Sequence, residues 1–225
     1  MKKHIKLFIS SALLMIIFII YTLLVKFVDV QSVGQLNSKV GFATINKKIF
    51  DLIGTSNTWY EITEFLGYGI IALFVIGFAI LAIYQLVKRK KLRLVDYRIY
   101  ALIGFCVVVL LFYVLFEFVV VNYRPILMTK EVELEASYPS SHTMLSLCLS
   151  SVTMITLHKM FPNKKIIYLI DALCTLSIIF MTIGRILSGV HWFTDIIGAI
   201  ILSSSLIMLY QGTIELLDLK LAKSN

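Results

Sequence analysis

His191 and Asp195 stand four residues apart in the stretch Gly184-Arg185-Ile186-Leu187-Ser188-Gly189-Val190-His191-Trp192-Phe193-Thr194-Asp195. The stretch joins two long apolar runs, and ionisable residues at such a junction invite a functional explanation because a bilayer makes stray charge expensive. If Trp192 begins a helix, His191 and Asp195 share one face and meet, the spacing of a histidine steered by a carboxylate. Two more polar groups lie at the ends of apolar runs: Asn122-Tyr123-Arg124-Pro125 and Pro139-Ser140-Ser141-His142. Arg124 and Arg185 have no matched carboxylate nearby in sequence and suit an anion, since a guanidinium fork matches phosphate oxygens. Ser140 and Ser141 add a hydroxyl and backbone N–H groups at a helix N-terminus, completing a phosphate cradle.

Within that cradle two histidines divide the labour. His191 attacks phosphorus and His142 protonates the departing oxygen. Asp195, by holding one ring nitrogen of His191, leaves the other to present its lone pair, the orienting logic of catalytic triads. Water then hydrolyses the phosphohistidine, with His142 acting as base. No cluster with metal-ligand spacing occurs, and neither a metal nor a cofactor is expected.

The elements that position these groups follow from composition. The 225 residues are 59% hydrophobic with a mean hydropathy of +0.91, too apolar for an ordinary soluble domain. Apolar runs predict an all-α integral membrane bundle of six spans, at about residues 7–25, 65–87, 99–121, 143–157, 166–183 and 192–210, in a single domain over 1–225. The first follows Met1-Lys2-Lys3-His4-Ile5-Lys6 but is too long for a cleaved signal, so it reads as a retained span. The fourth is rich in serine and threonine and belongs inside the bundle. Residues 27–64 read as a polar loop, in which Phe42, Ile45, Ile49 and Ile53 mark either a short interfacial helix or an ordinary loop turn.

The net charge of +8 falls mainly in loops of one side. Alternation of six spans puts 14 of the 21 Lys and Arg residues on the side of both termini, including Lys88-Arg89-Lys90-Lys91-Leu92-Arg93. That side is cytoplasmic by the positive-inside rule, and nucleic acid is not the partner. The chemistry then gathers on the extracytoplasmic face. Cys106, Cys148 and Cys174 read as apolar thiols, Tyr123, Tyr138 and Trp192 as interface aromatics, and Glu131, Glu133 and Glu135 as a solvated face. Asp171 is expected to be hydrogen-bonded within the bundle. Oligomeric state is not specified by the sequence.

These residues resemble the integral-membrane type 2 phosphatidic acid phosphatases, which share their site with vanadium-dependent haloperoxidases. That family's pattern is lysine, six residues, Arg-Pro; then Pro-Ser-Gly-His; then Ser-Arg, five residues, His, three residues, Asp. Arg124-Pro125, Pro139-Ser140-Ser141-His142 and Arg185 with His191 and Asp195 match it. The resemblance implies a lipid phosphatase in the cell membrane acting on a lipid phosphate such as undecaprenyl diphosphate, phosphatidic acid, diacylglycerol pyrophosphate or phosphatidylglycerol phosphate. A lipid phosphotransferase and a non-catalytic lipid-binding or transport protein are the alternatives. The absence of a eukaryotic-style extension and the excess of Lys over Arg fit a bacterial source.

The chain departs from the pattern at three positions. Ser141 replaces the glycine, and Gly184 the serine, for which Ser188 is a candidate substitute. Glu117 stands where the family has a phosphate-contacting lysine. Either Glu117 pairs with Arg124 or Arg185 and positions it, or the site takes a less highly charged substrate; Lys130 is a candidate to restore the lost charge.

Overall fold

In a bilayer each backbone N–H and C=O must be satisfied within the protein, so long apolar runs fold as uninterrupted helices. The computed structural model describes residues 2–127 and 133–224; Lys130 and Glu131 lie outside the described residues. Among the described residues the α-helices are α1 (Lys3–Phe27), α2 (Ala43–Ile53), α3 (Asn57–Arg89), α4 (Tyr97–Phe118), α5 (Ser141–Met160), α6 (Lys164–Leu187) and α7 (Phe193–Ser224), with no strand beyond isolated bridges. Helices α1, α3, α4, α6 and α7 are long and apolar enough to cross a membrane. At 20 residues α5 spans about 30 Å, but its hydroxyls make it too polar to be counted on composition.

Polarity is distributed as a bundle in lipid requires. Outward faces of α3, α4 and α6 carry exposed apolar side chains such as Phe65, Leu73, Leu111 and Leu169. The interior belongs to α5 and α7, where buried hydroxyls find partners: Thr156 with Tyr210 at 2.6 Å, Ser150 with Ser177 at 3.1 Å, and Ser11 donating to the Ser205 carbonyl at 2.9 Å. Antiparallel α1 lies along α7.

Two helix boundaries differ from the sequence expectation. α3 starts at Asn57 rather than near residue 65, because Ser56 caps it by accepting from the Trp59 N–H and its polar first turns pack on α6. Glu64 therefore lies on a helix and not in a loop. α7 runs to Ser224 instead of ending near Tyr210, because its polar extension is paired at the end opposite the motif histidines. There Glu215 meets Lys3 and Lys159, each at 2.9 Å, and Asp218 meets Lys159 at 3.0 Å and Arg98 at 2.5 Å. Asp171 joins the same end through His158 at 2.7 Å.

The amphipathic segment does form a helix, α2, but its buried face is Ala43 and Asn46, while Ile45 is exposed. Asn46 donates to Thr194 Oγ1 at 2.9 Å and accepts from the Thr194 N–H at 3.1 Å, pinning α2 to the start of α7.

Two aromatics expected at the membrane interface are instead buried. Tyr138 stacks on Phe18, meets Phe116 edge-on and shares a 2.8 Å hydrogen bond with Thr22. Trp192 donates to the Tyr123 carbonyl at 2.7 Å. Their apolar bodies fill gaps between elements while each polar tip finds a partner.

Gly198 is where Tyr138 comes closest to α7: a Cβ there would lie 2.5 Å from the ring. Gly198→Ala should cost about 1–3 kcal/mol through overpacking. Gly104→Ala, whose Cβ meets nothing within 4 Å, should be neutral or better. Thermal midpoints of the two variants in detergent provide the comparison.

Candidate active site

Arg185 enters the bundle on the last turn of α6 and is fully buried. α3 can approach closely because position 184 is glycine: a Cβ would come within 2.5 Å of Thr63 and 3.2 Å of Trp59. This accounts for the missing motif serine. Thr63 supplies a hydroxyl from the neighbouring helix, accepting from Arg185 Nη1 at 3.3 Å. The same nitrogen donates to Glu64 Oε1 at 2.9 Å, and the guanidinium lies 5.6 Å from the Tyr60 ring. Ser188 does not take the serine's place toward an anion, because its hydroxyl donates to the Arg185 carbonyl at 2.9 Å and closes the helix end. Gly189, at φ 71°, then turns the chain toward His191.

His191 precedes α7, so helical spacing does not bring it onto Asp195. Its Nδ1 is 3.0 Å from the Ser137 carbonyl and 3.7 Å from Asp195 Oδ2. A carbonyl only accepts and a guanidinium only donates, which assigns the tautomer. Nδ1 carries the proton, and Nε2 turns its lone pair to Arg185 Nη2 at 3.2 Å. Burial first, then the charge of Arg185, holds the His191 imidazole well below the ordinary histidine range. The neutral ring is thus available as a nucleophile.

Asp195 is wholly buried and organises backbone. Its carboxylate accepts from the Trp192 N–H at 2.9 Å, as an acid in the first turn does, and from Asn122 Nδ2 at 3.4 Å. Its carbonyl accepts from the Ser140 N–H at 3.2 Å. Asn122 in turn accepts from the Gly41 N–H at 3.1 Å. One residue thereby fastens the start of α7 to the segments before and after the 122–137 loop.

That loop is closed by backbone pairing, with the Arg124 N–H on the Glu135 carbonyl and the Ser137 N–H on the Asn122 carbonyl, each at 3.0 Å. The closure aims the Arg124 side chain at the site, with Nε 3.1 Å from Glu135 Oε2. Glu135 is therefore an arginine partner and not part of a solvated face. His142 starts α5, with Nε2 3.4 Å from Glu64 Oε2. Ser140 is fully buried with its hydroxyl on Thr143 at 3.0 Å, whereas Ser141 faces the cavity shared by Arg124, Glu117 and His191. Glu117 lines that cavity, but the carboxylates paired with the two arginines are Glu135 and Glu64.

Sequence reasoning missed Glu64, Thr63 and the Ser137 carbonyl. A backbone carbonyl leaves no trace in residue types. Glu64 did leave one, an acid two turns past the Ser56 cap, at the edge of the long apolar run of α3. Among the described residues, no group of three or more His, Cys, Asp or Glu is gathered for a metal ion. The groups that do converge, two guanidiniums and two imidazoles, suit an anion and its transfer to nitrogen.

The family model described as the PAP2 superfamily matches residues 118–214, a span containing every motif residue except Glu117. Among solved structures the chain is similar to the first transmembrane PAP2 type phosphatidylglycerolphosphate phosphatase from Bacillus subtilis. The two share 21% identity with a TM-score of 0.62, over 91% of this chain and 96% of that one. At that identity the likeness speaks for the fold. No curated protein matches the chain.

The depressed His191 proton affinity has a signed consequence. Below about pH 6.5 the unfolded chain binds a proton at this position that the folded chain refuses, so stability falls as pH drops from there. Thermal midpoints between pH 7.5 and 5.5 should decline in the wild type, with a shallower slope in His191→Gln. Equal slopes would contradict the neutral assignment.

Proposed function

We propose that the chain is a member of the PAP2 superfamily, whose model matches residues 118–214, and that it is a membrane lipid phosphatase: one six-span domain, both termini cytoplasmic, removing a terminal phosphate from a lipid at the extracytoplasmic face. The observation that carries this reading is the convergence of Arg124, Arg185, His142 and a neutral His191 at one end of the bundle. The basic residues of the opposite end support the orientation.

In the proposed reaction Arg124, Arg185 and Ser141 bind the phosphate oxygens. His191 Nε2 attacks phosphorus as the P–O bond to the lipid breaks, and His142 gives its proton to the departing oxygen. A water then attacks the phosphohistidine while His142 takes its proton, the N–P bond breaks, and inorganic phosphate leaves. Asp195 and the Ser137 carbonyl keep His191 in register.

An apolar groove of about 720 Å³ between α3, α5 and α6, lined by Leu73, Phe78, Leu149 and Ile170 among others, supports a lipid substrate. It shares Ile70 with a small cavity reaching His142, so hydrocarbon tails lie along the same helices that carry the headgroup site. Candidate substrates are phosphatidylglycerol phosphate, phosphatidic acid, diacylglycerol pyrophosphate and undecaprenyl diphosphate.

Purified protein in detergent should release inorganic phosphate from at least one of these. His142→Ala should lower kcat by about 10²–10⁴-fold, the range for losing a general acid. His191→Ala should abolish both turnover and incorporation of labelled phosphate trapped by an alkaline denaturing quench, which preserves the acid-labile N–P bond. Label recovered on an acceptor lipid in place of orthophosphate would replace hydrolase by phosphotransferase, and activity surviving His191→Ala would remove the nucleophile assignment.

A further inference from the structure

Glu64 belongs to no motif position, yet two motif groups from different helices close on it. Arg185 Nη1 from α6 is 2.9 Å from Oε1, and His142 Nε2 from α5 is 3.4 Å from Oε2. Two acceptor oxygens shared between an arginine and a histidine are what a bound phosphate would also present. Space for this meeting is built into α3: a Cβ at Gly67 would lie 2.4 Å from the His142 ring. Both Arg185 Nε and His142 Nδ1 are buried with no hydrogen-bond partner among the described residues, so neither group has a second anchor on those atoms.

Charge is allotted in the same economical way. Arg185 is matched by Glu64 and Arg124 by Glu135, while Glu117 lines the cavity without an arginine of its own. Neither guanidinium therefore brings uncompensated positive charge to an incoming headgroup. A phosphomonoester carries about −1.5 to −2 near pH 7, and a terminal diphosphate carries more.

We propose that Glu64 is a positioning and charge-selecting residue of this site. Resting on the lipid phosphatase reading, its carboxylate holds Arg185 and the His142 ring at the headgroup seat and fits that seat to a phosphomonoester rather than a diphosphate. Glu64 acts through the two groups it holds and takes no part in bond making.

The test uses the full chain in detergent with phosphatidic acid and diacylglycerol pyrophosphate, whose tails match and whose headgroups differ in charge. Glu64→Gln keeps size and an acceptor oxygen while removing charge. It should raise the ratio of kcat/KM for diphosphate over monoester at least about tenfold, mainly through KM, the effect of one close charge in a half-buried site. Glu64→Ala should lower kcat on both substrates about 10²-fold as orientation is lost, and Glu64→Asp should recover most of it.

An unchanged substrate ratio in a folded Glu64→Gln protein overturns charge selection, and full activity in Glu64→Ala overturns positioning. Parallel loss on both substrates together with loss of the monodisperse protein would make Glu64 merely structural and overturn both. If the wild type releases phosphate from neither of these lipids, nor from phosphatidylglycerol phosphate or undecaprenyl diphosphate, the phosphatase reading fails by itself, and calorimetric binding of inorganic phosphate then decides the role of Glu64. About tenfold tighter binding by Glu64→Gln supports it, and unchanged binding overturns it.

Discussion

A guanidinium keeps its charge at any pH a protein experiences, so a fully buried one must be met by acceptors. Arg185 imposes that requirement on the site end of the bundle. It draws Glu64 and Thr63 from α3 and the lone pair of His191 from the α6–α7 junction. Leaving such a group unpaired costs about 3–5 kcal/mol, enough to tie the placement of three separate segments to one side chain. Helix α3 therefore starts early enough to carry Glu64, and position 184 has no side chain to keep the helices apart.

How much of this was legible in the sequence follows from where the information resides. Arg124, His142, Arg185, His191 and Asp195 were singled out by type and spacing, and the backbone brings them to one end of the bundle. His191 and Asp195 do approach one another, with Nδ1 3.7 Å from Oδ2, but the nearer acceptor is the Ser137 carbonyl at 3.0 Å. The i,i+4 spacing operates only within a helix, and His191 stands outside it, so its ring turned to the Ser137 carbonyl and the carboxylate turned to the backbone. Glu64 was hidden because a polar turn ahead of an apolar run reads as loop until its partners are known. Tyr138 and Trp192 were placed at the interface by composition, which registers an amphipathic ring but not whether the protein itself supplies the partner for its polar tip.

One departure from the resembled pattern resolves into a local compensation. Gly184 gives up a hydroxyl, and closer helix packing puts the Thr63 hydroxyl on the same arginine. Ser188 serves the end of α6 instead. At Glu117 no such replacement occurs among the described residues: the carboxylate lines the cavity while other acids hold the arginines. Among the described residues each motif arginine is thus matched by a carboxylate, Arg124 by Glu135 and Arg185 by Glu64.

The anchoring of His191 through Nδ1 has a regiochemical side. With that nitrogen tied to a main-chain carbonyl, the only one able to form a bond to phosphorus is the one remote from Cβ. In the proposed reaction the covalent adduct is the distal phosphohistidine isomer alone, projecting away from the tether. The imidazole need not rotate between adduct formation and its breakdown, so both half-reactions share a single axis. A carbonyl also carries no net charge that would pull the tethered proton off the ring, which keeps that axis in place as the phosphoryl group arrives and departs.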